Sequence, residues 1–396
     1  MPRRAGGIGP LSKGSPLPVD RLALLSRGVL AIGVPAAALA IGLAPHDAAA
    51  AAAQSWPAFV LVAGLLLLGL VAGADGLFEA AGRLVARVGG SHGVVLLAAS
   101  SVLIAVVSAV LNLDTAVTFL TPVVIVAARR RSMAVEPFCY LTVLLANAGS
   151  LLLPGSNLTN LIVLGTSHVS GSTFTLHMLP AWIAAVVSVP VVVALWWRRH
   201  LHAGAAAEGK DRARPRIGVG LVGVVLAVVA MLVLAPGPLA ITVAAIGIAA
   251  ALWRLREGRL STSALATTLT APMLVGLFGL ATALGALGRT WSGPATLLAH
   301  CSSWETAGVG ALTAVLVNNL PAASLLAAHR VADPYALLVG LNLGPNLAVT
   351  GALSAVLWMA AARQAGVEPS ARRFSTIGVV VAPISMALAL AALALA

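Results

Sequence analysis

The chain has 396 residues, of which 60% are hydrophobic and 9% charged. Soluble domains carry about 25% charged residues, so polar groups cannot cover a water-facing surface here and lipid must be the solvent for much of the chain. The net charge of +12 does not mark a nucleic-acid binder, because the basic residues sit in short segments between apolar runs, where they orient a membrane protein. The expected class is an all-α polytopic membrane protein of the plasma membrane, with lipid as a partner and nucleic acid excluded.

In chain order, a polar tail over residues 1–27 precedes a first apolar run, Gly28–Ala44. Both are long for a signal peptide, so the run reads as a first spanning helix. A loop over 46–54 and a second span, Trp56–Ala74, follow. The segment Gly76–Gly89 mixes Leu77, Phe78 and Val85 with Glu79, Arg83 and Arg87, the pattern of an amphipathic helix lying along an interface. Further spans are expected at Phe138–Gly165, Met178–Trp197, Ile217–Ala235, Leu239–Trp253, Ser261–Gly288, Tyr335–Ala362 and Phe374–Ala396, about nine in all. Two more apolar regions, Val94–Ala128 and Ala307–Ala328, carry polar residues in their middle.

Loop charges set the topology. Arg3, Arg4, Lys13, Arg21 and Arg27 place the N-terminus in the cytoplasm. Arg83 and Arg87 lie before Val94–Ala128 and Arg129, Arg130 and Arg131 after it, so that region enters and leaves on one face as a re-entrant hairpin. Ala307–Ala328 becomes a second hairpin of opposite orientation. Every Lys and Arg except Arg289 and Arg330 then faces the cytoplasm. The resulting organisation is a tail (1–27), a first inverted repeat (28–197, with hairpin 94–128 and broken helix 138–165), a cytoplasmic linker and connector helix (198–238), and a second inverted repeat (239–396, with hairpin 307–328 and broken helix 335–362). Inverted repeats with broken helices are a transporter architecture.

Four polar clusters fall inside these apolar regions. They are Asn112-Leu113-Asp114-Thr115, then Asn147 to Asn160 (NAGSLLLPGSNLTN), then Asn318-Asn319-Leu320-Pro321, then Asn342 to Gly351 (NLGPNLAVTG). Gly and Pro interrupt a helix, and unwound backbone at membrane depth is stable only where it lines a cavity or is buried in protein. Asn112, Thr115, Ser156, Asn157, Thr159, Asn318, Asn319, Asn346 and Thr350 are therefore candidate solute or ion ligands. The competing reading is that such amides hold helices together. Asp114 alone among the acidic residues lies deep in an apolar region. A carboxylate there is costly and marks a proton or ion path, so Asp114 is the candidate coupling residue; it could equally cap the second hairpin arm, and one residue can do both. A sodium ligand is the alternative to a proton carrier. Cys139 and Cys301 have no metal-ligand spacing and read as free thiols. No catalytic triad, HExxH or phosphate loop accompanies the polar breaks, so the chain reads as a secondary transporter rather than an enzyme. It needs no cofactor beyond a coupling H+ or Na+.

At these motifs the sequence resembles the arsenite-efflux permeases of the ArsB type, within the ion transporter superfamily. The resemblance rests on LNLDTAVTFLTPVVIVA in the first hairpin, SNLTN at Ser156–Asn160, NNLPA at Asn318–Ala322, LGPNLAVTGALSAVLW at Leu343–Trp358 and GVEPS at Gly366–Ser370. It covers roughly residues 90–396. At Asn346 the arsenite-pump pattern implies a lysine, and this chain has an amide. The resemblance implies an electrochemically driven exporter of arsenite and antimonite with protons as counter-ion, working alone or with a soluble ATPase subunit. Superfamily relatives are often homodimers. They include sodium-coupled dicarboxylate symporters and Na+/H+ antiporters, so a small inorganic solute and a carboxylate both remain open as substrates.

Overall fold

In a computed structural model of the chain, residues 19–165, 169–201 and 218–396 are described. All regular structure among them is helical. Helix α1 (Val19–Leu43) and helix α2 (Pro45–Ala74) meet at Ala44, followed by α3 (Leu77–Gly89). Helices α4 (Gly93–Val110) and α5 (Leu113–Arg130) form the first hairpin. Helices α6 (Glu136–Gly149) and α7 (Leu158–Leu164) flank a break with one 3-10 turn at Pro154–Ser156, and α8 (Gly171–Trp196) follows. The second half contains α9 (Val219–Val233), α10 (Pro236–Arg256), α11 (Thr262–Leu269), α12 (Ala271–Thr290) and α13 (Gly293–His300). Its hairpin is α14 (Ser303–Val317) and α15 (Asn319–Leu326). Its broken helix is α16 (Pro334–Leu343) and α17 (Leu353–Gln364) around a 3-10 turn at Gly344–Leu347, and α18 (Ala371–Ala394) closes the fold.

Seven helices among the described residues are long and apolar enough to cross a membrane. Six correspond to expected spans and the seventh is α4, the first hairpin arm. Helix α9, the connector, is shorter at 15 residues. The chain is thus an all-helical polytopic membrane protein, with both interrupted regions and both broken helices at the expected places.

Three local expectations are corrected. Residues 19–27 are helical, so α1 begins inside the segment read as tail; residues 1–18 and most of the 198–216 linker lie outside the described residues. No loop occupies 46–54. The alanine run Ala48–Ala53 has high helix propensity, Pro45 suits the first turn, and Ala48 and Ala51 are buried, so α2 runs 30 residues. The span expected at Ser261–Gly288 is split at Thr270, whose φ of 39° lies in the left-handed region that ends a helix.

Packing repeats between the halves. Helix α1 packs on α12 as α10 packs on α2; α4 lies on α6 as α14 lies on α16; α5 meets α17 as α15 meets α7; and α8 and α18 pack on each other. The first of these pairings is set by glycine. A Cβ at Gly33 would stand 1.9 Å from the Gly276 carbonyl oxygen, and one at Gly247 would stand 2.5 Å from that of Gly64. Small residues let helix backbones approach this closely, which substitutes for a hydrophobic driving force in lipid.

Candidate functional site

The first hairpin turns at Asn112, whose φ of 147° is rare for a side-chain-bearing residue. Its Oδ1 accepts from the Thr115 backbone N–H at 2.7 Å and caps α5. The rest of the tip is buried and under-used: Asn112 Nδ2, Thr115 Oγ1 and, on α4, Ser108 Oγ have no partner among the described residues. Asp114 is 5% exposed. Its carboxylate makes no ion pair or hydrogen bond among the described residues; only its backbone carbonyl is engaged, by Thr118 Oγ1 at 2.7 Å. The α5 N-terminus supplies partial positive charge beside it. Helix α2 closes over this tip, since a Cβ at Gly69 would lie 2.4 Å from Thr115 Cγ2. An amide donor, a hydroxyl and a carboxylate thus share one buried turn.

The second hairpin turns at Asn318, with a φ of 75°. Its Oδ1 accepts from the Leu320 N–H at 3.3 Å and caps α15. Its Nδ2 donates to Thr350 O at 3.4 Å, Thr350 Oγ1 donates to Val315 O at 3.0 Å, and the Asn319 N–H donates to Gly351 O at 2.9 Å. This tip is stitched to the break of the α16–α17 helix. Asn319 is buried, but Asn318 is half-buried and Thr350 exposed, so the second tip is open where the first is shut.

The two breaks meet in a network of amides and hydroxyls. Asn147 Nδ2 donates to Asn346 Oδ1 at 2.7 Å, and Asn346 Nδ2 to Leu144 O at 3.1 Å. Asn157 Nδ2 donates to Asn342 Oδ1, toward which Ser150 Oγ and Thr159 Oγ1 also point at 3.2 and 3.4 Å. Asn342 Nδ2 donates to Asn160 Oδ1 at 3.0 Å. Ser156 Oγ lies 2.5 Å from Ser150 O and 2.6 Å from Leu153 O. The Asn, Ser and Thr residues of this network are 0–1% exposed, and unwound backbone of this kind survives at membrane depth because protein groups satisfy it.

The ten sequence candidates therefore fall into three groups: Asn112, Asp114 and Thr115 at one tip; Asn318, Asn319 and Thr350 at the other; and Ser156, Asn157, Thr159 and Asn346 in the crossing. The hydrogen-bonding capacity of the crossing group goes largely to protein partners, while the first tip keeps unpartnered polar atoms. Among the described residues no cluster of His, Cys, Asp and Glu could hold a metal ion, and both cysteines are free.

The family model described as CitMHS, citrate transporter, matches residues 19–392. The chain belongs to this family. It is 28% identical over 376 residues to the arsenical pump membrane protein of Escherichia coli strain K12, covering 86% of each chain. The arsenical pump membrane protein of Shigella flexneri is equally similar, at 28% identity and the same coverage. The silicon efflux transporter LSI3 of Oryza sativa subsp. japonica is 32% identical over 143 residues, 35% of this chain and 29% of that one. The Alcanivorax borkumensis YdaH transporter, whose crystal structure was described as having an unusual topology, shares the fold at a TM-score of 0.55 and 17% identity, covering 94% of this chain and 97% of that one. As a member of the CitMHS family, the chain is a membrane transporter.

Two polar arrangements in this CitMHS chain were not legible as site features in its sequence. At the ends of α2 and α10, Arg254 pairs with Asp75 at 2.5 Å and with Glu257, while Asp75 Oδ2 accepts from the Gly220 N–H at 2.8 Å. On the other side of α2, Gln54 joins Arg289 to the ends of α7 and α15. Each joins residues far apart in the chain, so no local pattern announces it. A lone Gln in an alanine run and one of two basic residues outside the cytoplasmic set were the available signals.

Proposed function

We propose that the chain is a proton-coupled exporter of arsenite and antimonite, with Asp114 as the proton carrier and Asn112 and Thr115 as solute ligands. The observation that carries this reading is the first hairpin tip. It holds a buried carboxylate without a counter-ion beside an amide and a hydroxyl without partners. Buried polar groups are ordinarily satisfied, so a turn that leaves three such groups free is suited to a polar ligand. Arsenous acid is largely uncharged near neutral pH and carries hydroxyls that both donate and accept. None of the three polar groups contains Lys or Arg, which favours a neutral polyhydroxylated solute over a citrate-like anion. The similarity to arsenical pump membrane proteins over most of the chain supports the same substrate class.

The two halves, residues 28–197 and 239–396, are read as an inverted repeat with a cytoplasmic N-terminus, supported by the loop charges and by the matched packing of the halves. Asn318 and Thr350, open at the second tip, and the buried Asn319 beside them supply the counterpart half-site. The sodium-coupled reading on the same fold is separated by ion substitution. Expression in an arsenite-sensitive bacterial host should raise the tolerated arsenite concentration equally in sodium and sodium-free medium. Tolerance that requires sodium would replace the proton with Na+ in this account.

A further inference from the structure

Gln54, near the start of α2, is half-buried and reaches both halves of the molecule at once. Its Nε2 donates to Ile162 O of α7 at 2.8 Å and to Ala327 O, at the end of α15, at 2.9 Å. Its Oε1 accepts from Arg289 Nη2 at 2.5 Å, and Arg289 Nη1 donates to Gly285 O at 2.9 Å within α12. Both acceptors lie at the C-terminal ends of short half-helices, of 7 and 8 residues. Such helices are marginal alone, and their last carbonyls need partners. The opposite ends of the same helices are capped by Asn157 and Asn318, roughly 10–12 Å away at the usual helical rise.

We infer that Gln54, oriented by Arg289, is a positioning residue: one side-chain amide holds the C-terminal ends of α7 and α15 in register, and so sets the second hairpin tip at Asn318 against the break that Asn157 caps. Arg289 fixes which end of the Gln54 amide points at the carbonyls, because only Oε1 can accept from a guanidinium. Arg289 also places positive charge behind the negative ends of two helix dipoles. Neither residue belongs to the three polar groups described above, so both act through the helices. The inference builds on the exporter reading only for the choice of probe.

The variants are Gln54→Glu, Gln54→Leu and Arg289→Leu in the full-length protein, with arsenite uptake into everted vesicles as the readout. Gln54→Glu keeps the size and the Arg289 partner but turns a carboxylate oxygen toward two carbonyls. The expected result is a KM for arsenite raised roughly fivefold or more, the equivalent of at least one lost hydrogen bond, in all three variants. A purely structural role would lower the amount of folded protein and the maximal rate while leaving KM unchanged, and that result would overturn the inference, as would wild-type behaviour of Gln54→Glu. If the wild-type protein moves no arsenite, the exporter reading fails on its own. Amide hydrogen exchange then decides the inference, with faster exchange of Thr159 and Leu320 in Gln54→Glu supporting it and a change confined to residues around 162 and 327 overturning it.

Discussion

Asn147 Nδ2 donates to Asn346 Oδ1 at 2.7 Å, linking the break of one interrupted helix to the break of the other across 199 positions of sequence. Both side chains are fully or almost fully buried. The arsenite-pump pattern implies a lysine at Asn346; an amide here can both accept from Asn147 and donate to Leu144 O, whereas a lysine can only donate.

Replacing Asn346 with Leu strands Asn147 Nδ2 and removes the second donor to Leu144 O, which keeps its place in the α6 helix. Leaving buried groups unsatisfied costs about 1–3 kcal/mol, and hydrogen bonds between membrane helices couple by roughly 0.6–1.7 kcal/mol. Denaturant unfolding in detergent should show Asn346→Leu destabilised by about 1–2 kcal/mol, and adding Asn147→Leu should cost less than the sum of the single changes. Strict additivity would show that the pair does not interact in the folded protein.

The first hairpin turn separates ligand chemistry from architecture. The backbone of Asn112, at φ 147°, sits where only glycine is unstrained, a cost of about 1–3 kcal/mol, and its cap is one that glycine replaces for a few tenths of a kcal/mol. Asn112→Gly should therefore fold at least as stably as wild type. It also removes Nδ2, so arsenite transport should fall at least tenfold. A stable variant with full transport would remove Asn112 from the solute site.

At the C-terminal end of α2, the Asp75–Arg254 pair has side chains only 3% and 6% exposed. Removing one partner leaves a buried charge, which in comparable sites costs about 3–5 kcal/mol. A cavity of about 550 Å3 opens beside the pair, which places the expected loss near the lower bound, about 3 kcal/mol, for Arg254→Gln. The double change Asp75→Asn with Arg254→Gln should recover at least half of that loss in thermal unfolding. A double variant as unstable as the sum of the single ones would contradict an ion pair that matters mainly through its unpaired charge.

Close helix approach predicts a steric series. A Cβ at Gly378 would lie 1.7 Å from Asn346 O, so α18 cannot stay against the second break with any side chain there. Gly378→Ala should lower thermal stability and transport together, whereas Gly28→Ala, with open space around its Cβ position inside α1, should lower neither. Normal behaviour of Gly378→Ala would show that α18 stands further from the break.

Local signals made much of this fold readable. Asn-Leu-Asp-Thr in the first hairpin and the Gly, Pro and Asn runs at 147–160 and 342–351 interrupt apolar segments that otherwise satisfy themselves as helices, and each break lies where the sequence placed it. Asn157 and Asn346 could be recognised as buried polar residues. Their partners, Asn342 and Asn147, are chosen by how the two breaks cross, which no local spacing encodes. The same holds for Asp75 with Arg254 and for Gln54 with Arg289, each pair joined only when α2 meets α10 or α12. The continuous α2 helix was hidden because Gln54, Ser55 and Trp56 after an alanine run resemble an interfacial loop until the burial of Ala48 and Ala51 is known.

Arsenite uptake into everted membrane vesicles, with and without an imposed proton gradient, tests the central claim most directly when wild type is set beside Asp114→Asn. The account predicts gradient-dependent accumulation by the wild type. It predicts no uphill accumulation by Asp114→Asn, with the variant present in the membrane at wild-type amount. Undiminished accumulation by Asp114→Asn, or no accumulation by folded wild-type protein under either condition, would contradict it.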